Sequence, residues 1–209
     1  SSATMSTDDV TYYAVFADVK EGTETNVDDT LNNSLTGVGS SSTYSAWSDK
    51  TVENGSGAVY AGNSAGSNSS IQLRSKESTS GIVTTTSGGK ATKVTIAWNN
   101  NTSSDRTISI YGKNKAYSAA SDLYKTSSQG TLLGELSYGS NTELTISGNY
   151  TYIGIRSKSN ALYLNSVTIT WINGEPTTYS NFCTDVPPST VSATIASNGY
   201  GTLCSAYAL

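Results

Sequence analysis

The stretch that decides the fold is residues 161–172, which read ALYLNSVTITWI. Its apolar residues alternate with polar ones, as in a β-strand that buries one face. In the first half Leu162 and Leu164 lie on even numbers, whereas Val167, Ile169 and Trp171 in the second half lie on odd numbers. The inward face must therefore slip by one residue. A β-bulge at Asn165-Ser166 produces this slip.

The span from Ser42 to Asn173 has the same β pattern. Its short strand-forming runs are separated by clusters of Gly, Asn and Ser. Helix is expected at one place, a short turn within 117–129 for which Ser121-Asp122 offers a cap. So many strands favour two packed sheets, and the predicted fold class is all-β. The predicted strands are 59–61, 71–74, 82–86, 93–98, 107–111, 132–138, 143–146, 150–156 and 161–172.

Alternation within these strands assigns the core. Trp47 lies in a polar segment, where it is either exposed or closes the open end of the sandwich. The other two tryptophans end strands on the apolar face, which predicts that they are buried. The predicted core residues are Val94, Ile96, Trp98, Ile108, Ile110, Leu144, Ile146, Ile153, Ile155, Leu162, Leu164, Val167, Ile169 and Trp171.

Composition removes several classes of function. The net charge is −4, so the chain lacks the Lys/Arg surface that binds a phosphate backbone, and no nucleic-acid partner is expected. No run approaches the roughly 20 apolar residues that span a bilayer, so no membrane insertion is expected. The chain has no histidine, which excludes His-based triads and His-based metal centres.

Two kinds of candidate remain: the cysteines could form a disulfide, and the acidic pairs could bind a metal ion. The two cysteines, Cys183 and Cys204, either form a disulfide or remain separate thiols. Asp8-Asp9 and Asp28-Asp29 could supply oxygen ligands to a structural calcium ion, but their spacing fits no EF-hand loop. We interpret both pairs as solvated loop charge. No cofactor and no metal site is therefore predicted.

The one motif typical of an enzyme is Gly62-Asn63-Ser64-Ala65-Gly66, which matches the G-x-S-x-G nucleophile elbow. No histidine base exists and no helix pattern follows, so we interpret it as a glycine-rich loop. The carboxylates of the sandwich stand in separate loops or strand edges, without the pairing that glycoside hydrolysis needs. The sequence predicts no catalytic residue and no enzyme.

Two near copies, IQLRSK at 71–76 and IGIRSK at 153–158, place an arginine at the end of a strand. If both strands belong to one sheet, Arg74 and Arg156 mark one outer face. A guanidinium beside flat aromatic rings suits sugar recognition. Alternatively, each arginine pairs with a carboxylate or caps loop carbonyls. The candidate ligand-binding residues of this face are Gln72, Arg74, Tyr150, Tyr152 and Arg156.

The main domain resembles a family of bacterial extracellular modules. The motifs are YAGNS at 60–64, SIQLRS at 70–75, SGIVTT at 80–85, YGKN at 111–114 and YLNSV at 163–167. This resemblance covers residues 57–172. It implies a two-sheet jelly-roll β-sandwich akin to galactose-binding-like and carbohydrate-binding domains. Such modules accompany nucleases, peptidases and adhesin repeats, which implies a secreted or cell-surface location.

The flanks also resemble known modules. Residues 4–17, with TDD followed by YYAVF, are similar to the final strand of the Listeria–Bacteroides β-grasp repeat. Residues 194–202 resemble a short β-segment of Bacteroidetes surface proteins. We therefore expect short β appendages at both ends of the sandwich. The expected domains are 1–20, the end of a preceding repeat; 21–173, the sandwich; 174–190, a Pro-containing linker; and 191–209, the start of a following module.

Three functions follow as hypotheses. The first is a non-catalytic accessory module that binds a glycan or cell-surface polysaccharide weakly. The second is a structural spacer or adhesion unit without a small-molecule ligand. The third, an enzyme, conflicts with the absence of histidine and of paired carboxylates. A deep cleft lined by Tyr and Arg would favour the first over the second.

Overall fold

The computed structural model describes residues 19–76, 78–179, 194–195 and 201–202. The chain forms two compact units, one of Glu24–Gly174 and one of Ser1–Thr23 with Glu175–Leu209. Both cysteines, the Asp8-Asp9 pair and the repeat-like residues 4–17 lie outside the described residues. The domain boundaries expected from the sequence stay a prediction for the same reason.

In the unit of Ser1–Thr23 with Glu175–Leu209, the described residues form short strand pairs. With strands numbered in chain order, β1 (Val19–Lys20) pairs antiparallel with β13 (Thr178–Tyr179). The backbone N–H of Gly22 donates to Thr177 Oγ1 at 2.9 Å. β14 (Thr194–Ile195) pairs antiparallel with β15 (Gly201–Thr202). These pairs are the described β appendages outside the sandwich.

The unit Glu24–Gly174 is a sandwich of two antiparallel sheets, which confirms the predicted all-β class. The five-stranded sheet has the order β10-β7-β12-β2, and β5 also pairs with β12. Its strands are β2 (Thr25–Asn32), β5 (Ile71–Arg74), β7 (Lys90–Trp98), β10 (Glu143–Thr145) and β12 (Ala161–Asn173). In the described part of the chain, no helix is long and apolar enough to cross a membrane.

The six-stranded sheet has the order β3-β4-β6-β11-β8-β9. Its strands are β3 (Ser45–Lys50), β4 (Val59–Ser64), β6 (Gly81–Thr86), β8 (Thr107–Lys113), β9 (Thr131–Ser137) and β11 (Tyr152–Ser157). A one-turn helix, α1 (Asn33–Thr36), follows β2, and 3-10 turns lie at Ser67–Ser69 and Ala120–Tyr124. The second of these turns confirms the helical turn expected within 117–129.

The strand β12 organises the five-stranded sheet. It pairs along one side with β7 and along the other with β2 and β5. The β7 register shifts between Leu164 and Ser166, which confirms the predicted bulge. Because of this shift, the apolar side chains of both halves are buried on the inner face, namely Leu162, Leu164, Val167, Ile169 and Trp171.

All nine predicted strands of the sandwich are present, but two further strands of the sandwich, β2 and β3, were missed. The sequence of β2, TNVDDTLN, is polar, and yet Asp29 and Leu31 are fully buried on its inner face. The interpretation of Asp29 as solvated loop charge is therefore wrong, whereas Asp28 is exposed. The loop expected at 62–66 is also partly wrong, because β4 extends through Ser64.

The main core lies between the sheets and contains most of the predicted residues. Trp98 and Leu144 are only half-buried and pack against its margin. Trp47 is 8% exposed, and its indole N–H donates to Ser64 Oγ at 3.1 Å. Trp47 is thus buried on the edge strand β3 rather than exposed to solvent.

A second, smaller core covers the outer face of the six-stranded sheet. Segment 114–130, between β8 and β9, folds back so that Tyr117 and Leu123 pack on that face. Two glycines leave room for Leu123. A Cβ on Gly81 would lie 2.7 Å from Leu123 Cδ1, and a Cβ on Gly154 would also collide with Leu123. Segment 114–130 is therefore fixed to the sheet by apolar packing.

The buried carboxylate of Asp29 is fully hydrogen-bonded. Its Oδ1 accepts the backbone N–H of Ser56 at 2.8 Å. Its Oδ2 accepts both Ser56 Oγ and the Tyr60 hydroxyl at 2.6 Å. The Tyr60 oxygen in turn accepts the indole N–H of Trp171 at 3.0 Å. This Asp29 network joins β2, β4, β12 and the loop before β4 inside the core.

Because two tyrosines are buried, we expect the protein to lose stability at alkaline pH. Burial raises the pKa of Tyr60, and the hydrogen bond to Asp29 raises it further. Burial also raises the pKa of Tyr117, with the Asp122 charge adding to it. Both side chains keep their protons in the native state above pH 10, where unfolded tyrosines ionise. The free energy of unfolding should then fall by about 1.4 kcal/mol per pH unit for each tyrosine.

Urea denaturation between pH 9 and 11.5, followed with phenolate absorbance, checks this expectation. The stabilising contribution is fully present below pH 10 and is lost as the pH rises above it, towards the native pKa values. A Tyr60→Phe variant should show a shallower slope. Phenolate absorbance from all tyrosines appearing before the unfolding transition would contradict it.

Candidate functional site

A pocket of about 620 Å³ opens beside the end of β8. One wall is segment 114–130, and the other is formed by the end of β8 together with Tyr150. Its principal side chains are polar or charged. Those used below are Lys113, Asn114, Lys115, Asp122, Ser128 and Tyr150.

The Tyr150 ring is held at the wall by backbone contacts. A Cβ on Gly112 would lie 2.9 Å from Tyr150 Cδ1, so the ring packs directly over the β8 backbone. The Tyr150 carbonyl accepts the N–H of Ala91, on β7 of the other sheet, at 2.8 Å. Tyr150 is half-buried and also contacts the main core. Its ring therefore offers the pocket a rigid aromatic surface.

Lys113 lies between the pocket and the second core. Its ammonium donates to the Ser128 carbonyl at 2.8 Å and lies 3.7 Å from the centroid of the Tyr117 ring. Burial lowers the pKa of Lys113; Asp122 opposes this shift and Lys115 adds to it. Lys113 thus shares its electrostatic surroundings with two other charged residues that line the pocket.

Asn114 and Asp122 are oriented by backbone amides. Asn114 Oδ1 accepts the Thr151 N–H at 3.0 Å and Thr151 Oγ1 at 3.3 Å. Asp122 Oδ2 accepts the Ser118 N–H at 2.7 Å. The Asn114 amide N–H groups and Asp122 Oδ1 have no hydrogen-bond partner among the described residues. The pocket therefore presents positioned donors and an acceptor beside an aromatic ring.

The structure does not bring the predicted binding face together. Arg74 and Gln72 are on β5 of the five-stranded sheet, whereas Arg156 and Tyr152 are on β11 of the six-stranded sheet. Gln72 is only 9% exposed and lies opposite Tyr163, with its amide nitrogen 3.5 Å from the Tyr163 hydroxyl. The condition that both arginines share one sheet is not met.

Both arginines stack on tyrosine rings of the protein. The Arg74 guanidinium lies 4.5 Å from the centroid of Tyr44. The Arg156 guanidinium lies 4.8 Å from Tyr124 and 5.4 Å from Tyr111, whose hydroxyl accepts its N–H groups. The sequence left open, as the alternative to sugar binding, that each arginine contacts a carboxylate or loop carbonyls of the protein. The contacts described here are within the protein as well, but their partners are tyrosine rings and a hydroxyl.

The outer face of β11 is also interrupted. Tyr152 and Arg156 are separated by Gly154, and Leu123 and Tyr117 pack over that glycine. Tyr152 itself packs against the second core. Of the five predicted site residues, Tyr150 alone lines the pocket.

Sequence reasoning missed Lys113, Asn114, Lys115 and Asp122 as site residues. A signal was present, since Lys113 and Asn114 fall in the YGKN motif and Asp122 in the expected helical turn. What the sequence does not show is that segment 114–130 folds back over the sheet. That return is what places Asp122 opposite the end of β8.

Ser64 of the G-x-S-x-G match and Glu135 of the sandwich make contacts within the protein. Ser64 is fully buried and accepts the Trp47 indole N–H. Glu135 accepts Ser109 Oγ at 3.1 Å and pairs with Lys158 at 2.6 Å. Asp122 is the one carboxylate of the described residues that lines the pocket. No group of three or more acidic or thiol side chains able to hold a metal occurs among the described residues.

Comparisons of this chain with protein-family models, with curated proteins and with solved structures gave no significant match.

Proposed function

We propose that the sandwich is a non-catalytic accessory module of a secreted or cell-surface protein and that it binds a glycan weakly. The observation that carries this proposal is the polar pocket beside β8, in which a fixed tyrosine ring stands among hydrogen-bonding groups. Sugars offer both surfaces that such a pocket needs. Their apolar ring face stacks on an aromatic side chain, and their hydroxyls exchange hydrogen bonds with amides and carboxylates.

The residues have distinct roles in this proposal. The Tyr150 ring supports the face of one sugar unit, Asn114 donates to a hydroxyl, and Asp122 accepts from one. The pocket is open and hydrophilic, so a single site should bind with a Kd of about micromolar to millimolar. Avidity on a polysaccharide surface would strengthen such a site.

A glycan array followed by titration calorimetry tests the proposal. Tyr150→Ala should weaken binding of any glycan identified at least tenfold, because it removes the stacking surface. Tyr138→Ala is the matched control. Tyr138 is also half-buried, but it follows the end of β9 remote from the pocket and packs edge-to-face on Trp98 with ring centroids 5.7 Å apart. It should leave binding unchanged.

A silent array and no heat at high protein concentration would remove glycan binding and favour the structural spacer. Binding that is lost equally in both tyrosine variants would place the effect in folding rather than in the pocket. Binding that survives Tyr150→Ala but is lost in Arg156→Ala would instead support the β11 face.

A further inference from the structure

The pocket lies in a part of the chain where basic residues outnumber acidic ones. Acidic residues outnumber basic ones in the whole chain, 16 to 12. Segment 113–130, in contrast, contains Lys113, Lys115 and Lys125 and a single acidic residue, Asp122. Lys113 and Lys115 line the pocket itself. The pocket therefore has a local excess of positive charge on a module that is acidic overall.

The two pocket lysines are not neutralised by the protein. Among the described residues, neither Lys113 nor Lys115 forms an ion pair with a carboxylate; the three described ion pairs involve Lys93, Arg106 and Lys158. Asp122 offsets only part of their charge, and its Oδ2 is used by the Ser118 N–H. The pocket therefore holds two ammonium groups and one carboxylate.

The lysines also interact with each other unfavourably. Burial lowers the pKa of Lys113, the Asp122 charge raises it, and the Lys115 charge, the smallest of the three causes, lowers it. The Lys113 ammonium keeps one protein acceptor, the Ser128 carbonyl, and has two further N–H donors. An anionic group bound in the pocket would receive a charge-assisted hydrogen bond from Lys113 and would be attracted by the charge of Lys115.

These observations identify the class of sugar and rest on the proposed glycan-binding function. We infer that the pocket prefers an anionic sugar residue, one that bears a carboxylate or a sulfate ester. Its anionic group contacts Lys113 and Lys115, its ring lies on Tyr150, and Asp122 accepts a hydroxyl. Lysine recognises either anion as a point charge, so both chemistries fit the same site.

The test uses two matched pairs of probes in titration calorimetry with the full chain. One pair is an oligogalacturonate and its methyl ester, which differ in the carboxylate charge. The other is a sulfated galactan oligosaccharide and its desulfated form. At least one anionic member should bind about tenfold more tightly than its neutral partner, a difference that charge-assisted hydrogen bonds supply. Its affinity should fall as NaCl is raised from 50 to 500 mM, because salt screens exposed charges.

Lys115→Gln separates the charge effect from folding, since Lys115 is exposed. It should reduce the preference for the anionic probe to about threefold or less, with little change for the neutral partner. Lys90→Gln is the matched control, because Lys90 is an exposed lysine on β7 of the other sheet. It should leave both affinities unchanged.

The outcomes separate this inference from the proposal beneath it. Neutral members binding as tightly as anionic ones, with loss in Tyr150→Ala, would overturn the inference and leave glycan binding standing. An anionic preference unchanged in Lys115→Gln would also overturn it. No binding by any of the four probes or by an array of neutral and anionic glycans would remove both.

Discussion

Replacing Asp29 by alanine should lower the free energy of unfolding by at least about 3 kcal/mol. The variant leaves three buried donors without their acceptor, namely the Ser56 N–H, Ser56 Oγ and the Tyr60 hydroxyl. Each buried donor that loses its partner costs about 1 to 3 kcal/mol. Because Asp29 is fully buried in the folded protein, water cannot replace the missing hydrogen bonds. Urea denaturation followed by tryptophan fluorescence measures the loss.

Asp28→Ala is the control for this prediction. Asp28 is the adjacent residue of β2, but its side chain is exposed and accepts the Thr170 hydroxyl at 2.6 Å. Its removal should cost no more than about 1 kcal/mol, because only one hydrogen bond is lost and the exposed position of Asp28 lets water reach the Thr170 hydroxyl. Equal effects of the two substitutions would show that the Asp29 network does not stabilise the core as described.

Leu123→Ala should cost about 2 to 5 kcal/mol of local or global stability, the range for emptying a buried leucine site. Leu123 is fully buried against Gly81 and Gly154, and it is a central side chain of the second core. Hydrogen exchange should show the largest loss of protection in residues 117–130. Glycan binding should weaken in the same variant, because Leu123 fixes the wall of the pocket to the sheet.

Leu132→Ala provides the comparison, since Leu132 is 50% exposed on the edge strand β9. The same change of side chain there should alter stability by no more than about 0.5 kcal/mol. If Leu123→Ala left the exchange of residues 117–130 unaltered, segment 114–130 would be held by contacts other than the second core.

Much of the sandwich could be predicted from sequence because its strands alternate cleanly. Ile153 and Ile155, for example, flank a glycine, and both point into the main core. The bulge near Asn165 was also visible, since the apolar positions of β12 change parity there. In contrast, β2 was missed because a fully buried Asp29 has the sequence appearance of a loop residue. Its three donors come from Ser56 and Tyr60, residues far along the chain.

The candidate site was predictable only in part, because it also depends on contacts between residues far apart in the sequence. The expected Tyr/Arg face assumed that 71–76 and 153–158 belong to one sheet, but strand pairing is a long-range property that local repeats do not determine. Tyr150 was identified because the predicted strand 150–156 places it on the outer face, although the strand itself begins at Tyr152. The charged residues of 113–122 were not, because their convergence depends on Leu123 packing over Gly154.

We propose that ligand binds in the pocket formed by segment 114–130 and Tyr150. The most direct test is an NMR titration of the labelled chain with the oligogalacturonate, the sulfated galactan oligosaccharide and their neutral partners, following backbone amides. We expect the shifts to concentrate at residues 112–118, 122–131 and 149–151. Shifts centred on β5 and β12, or no shift with any probe at millimolar concentration, would contradict it.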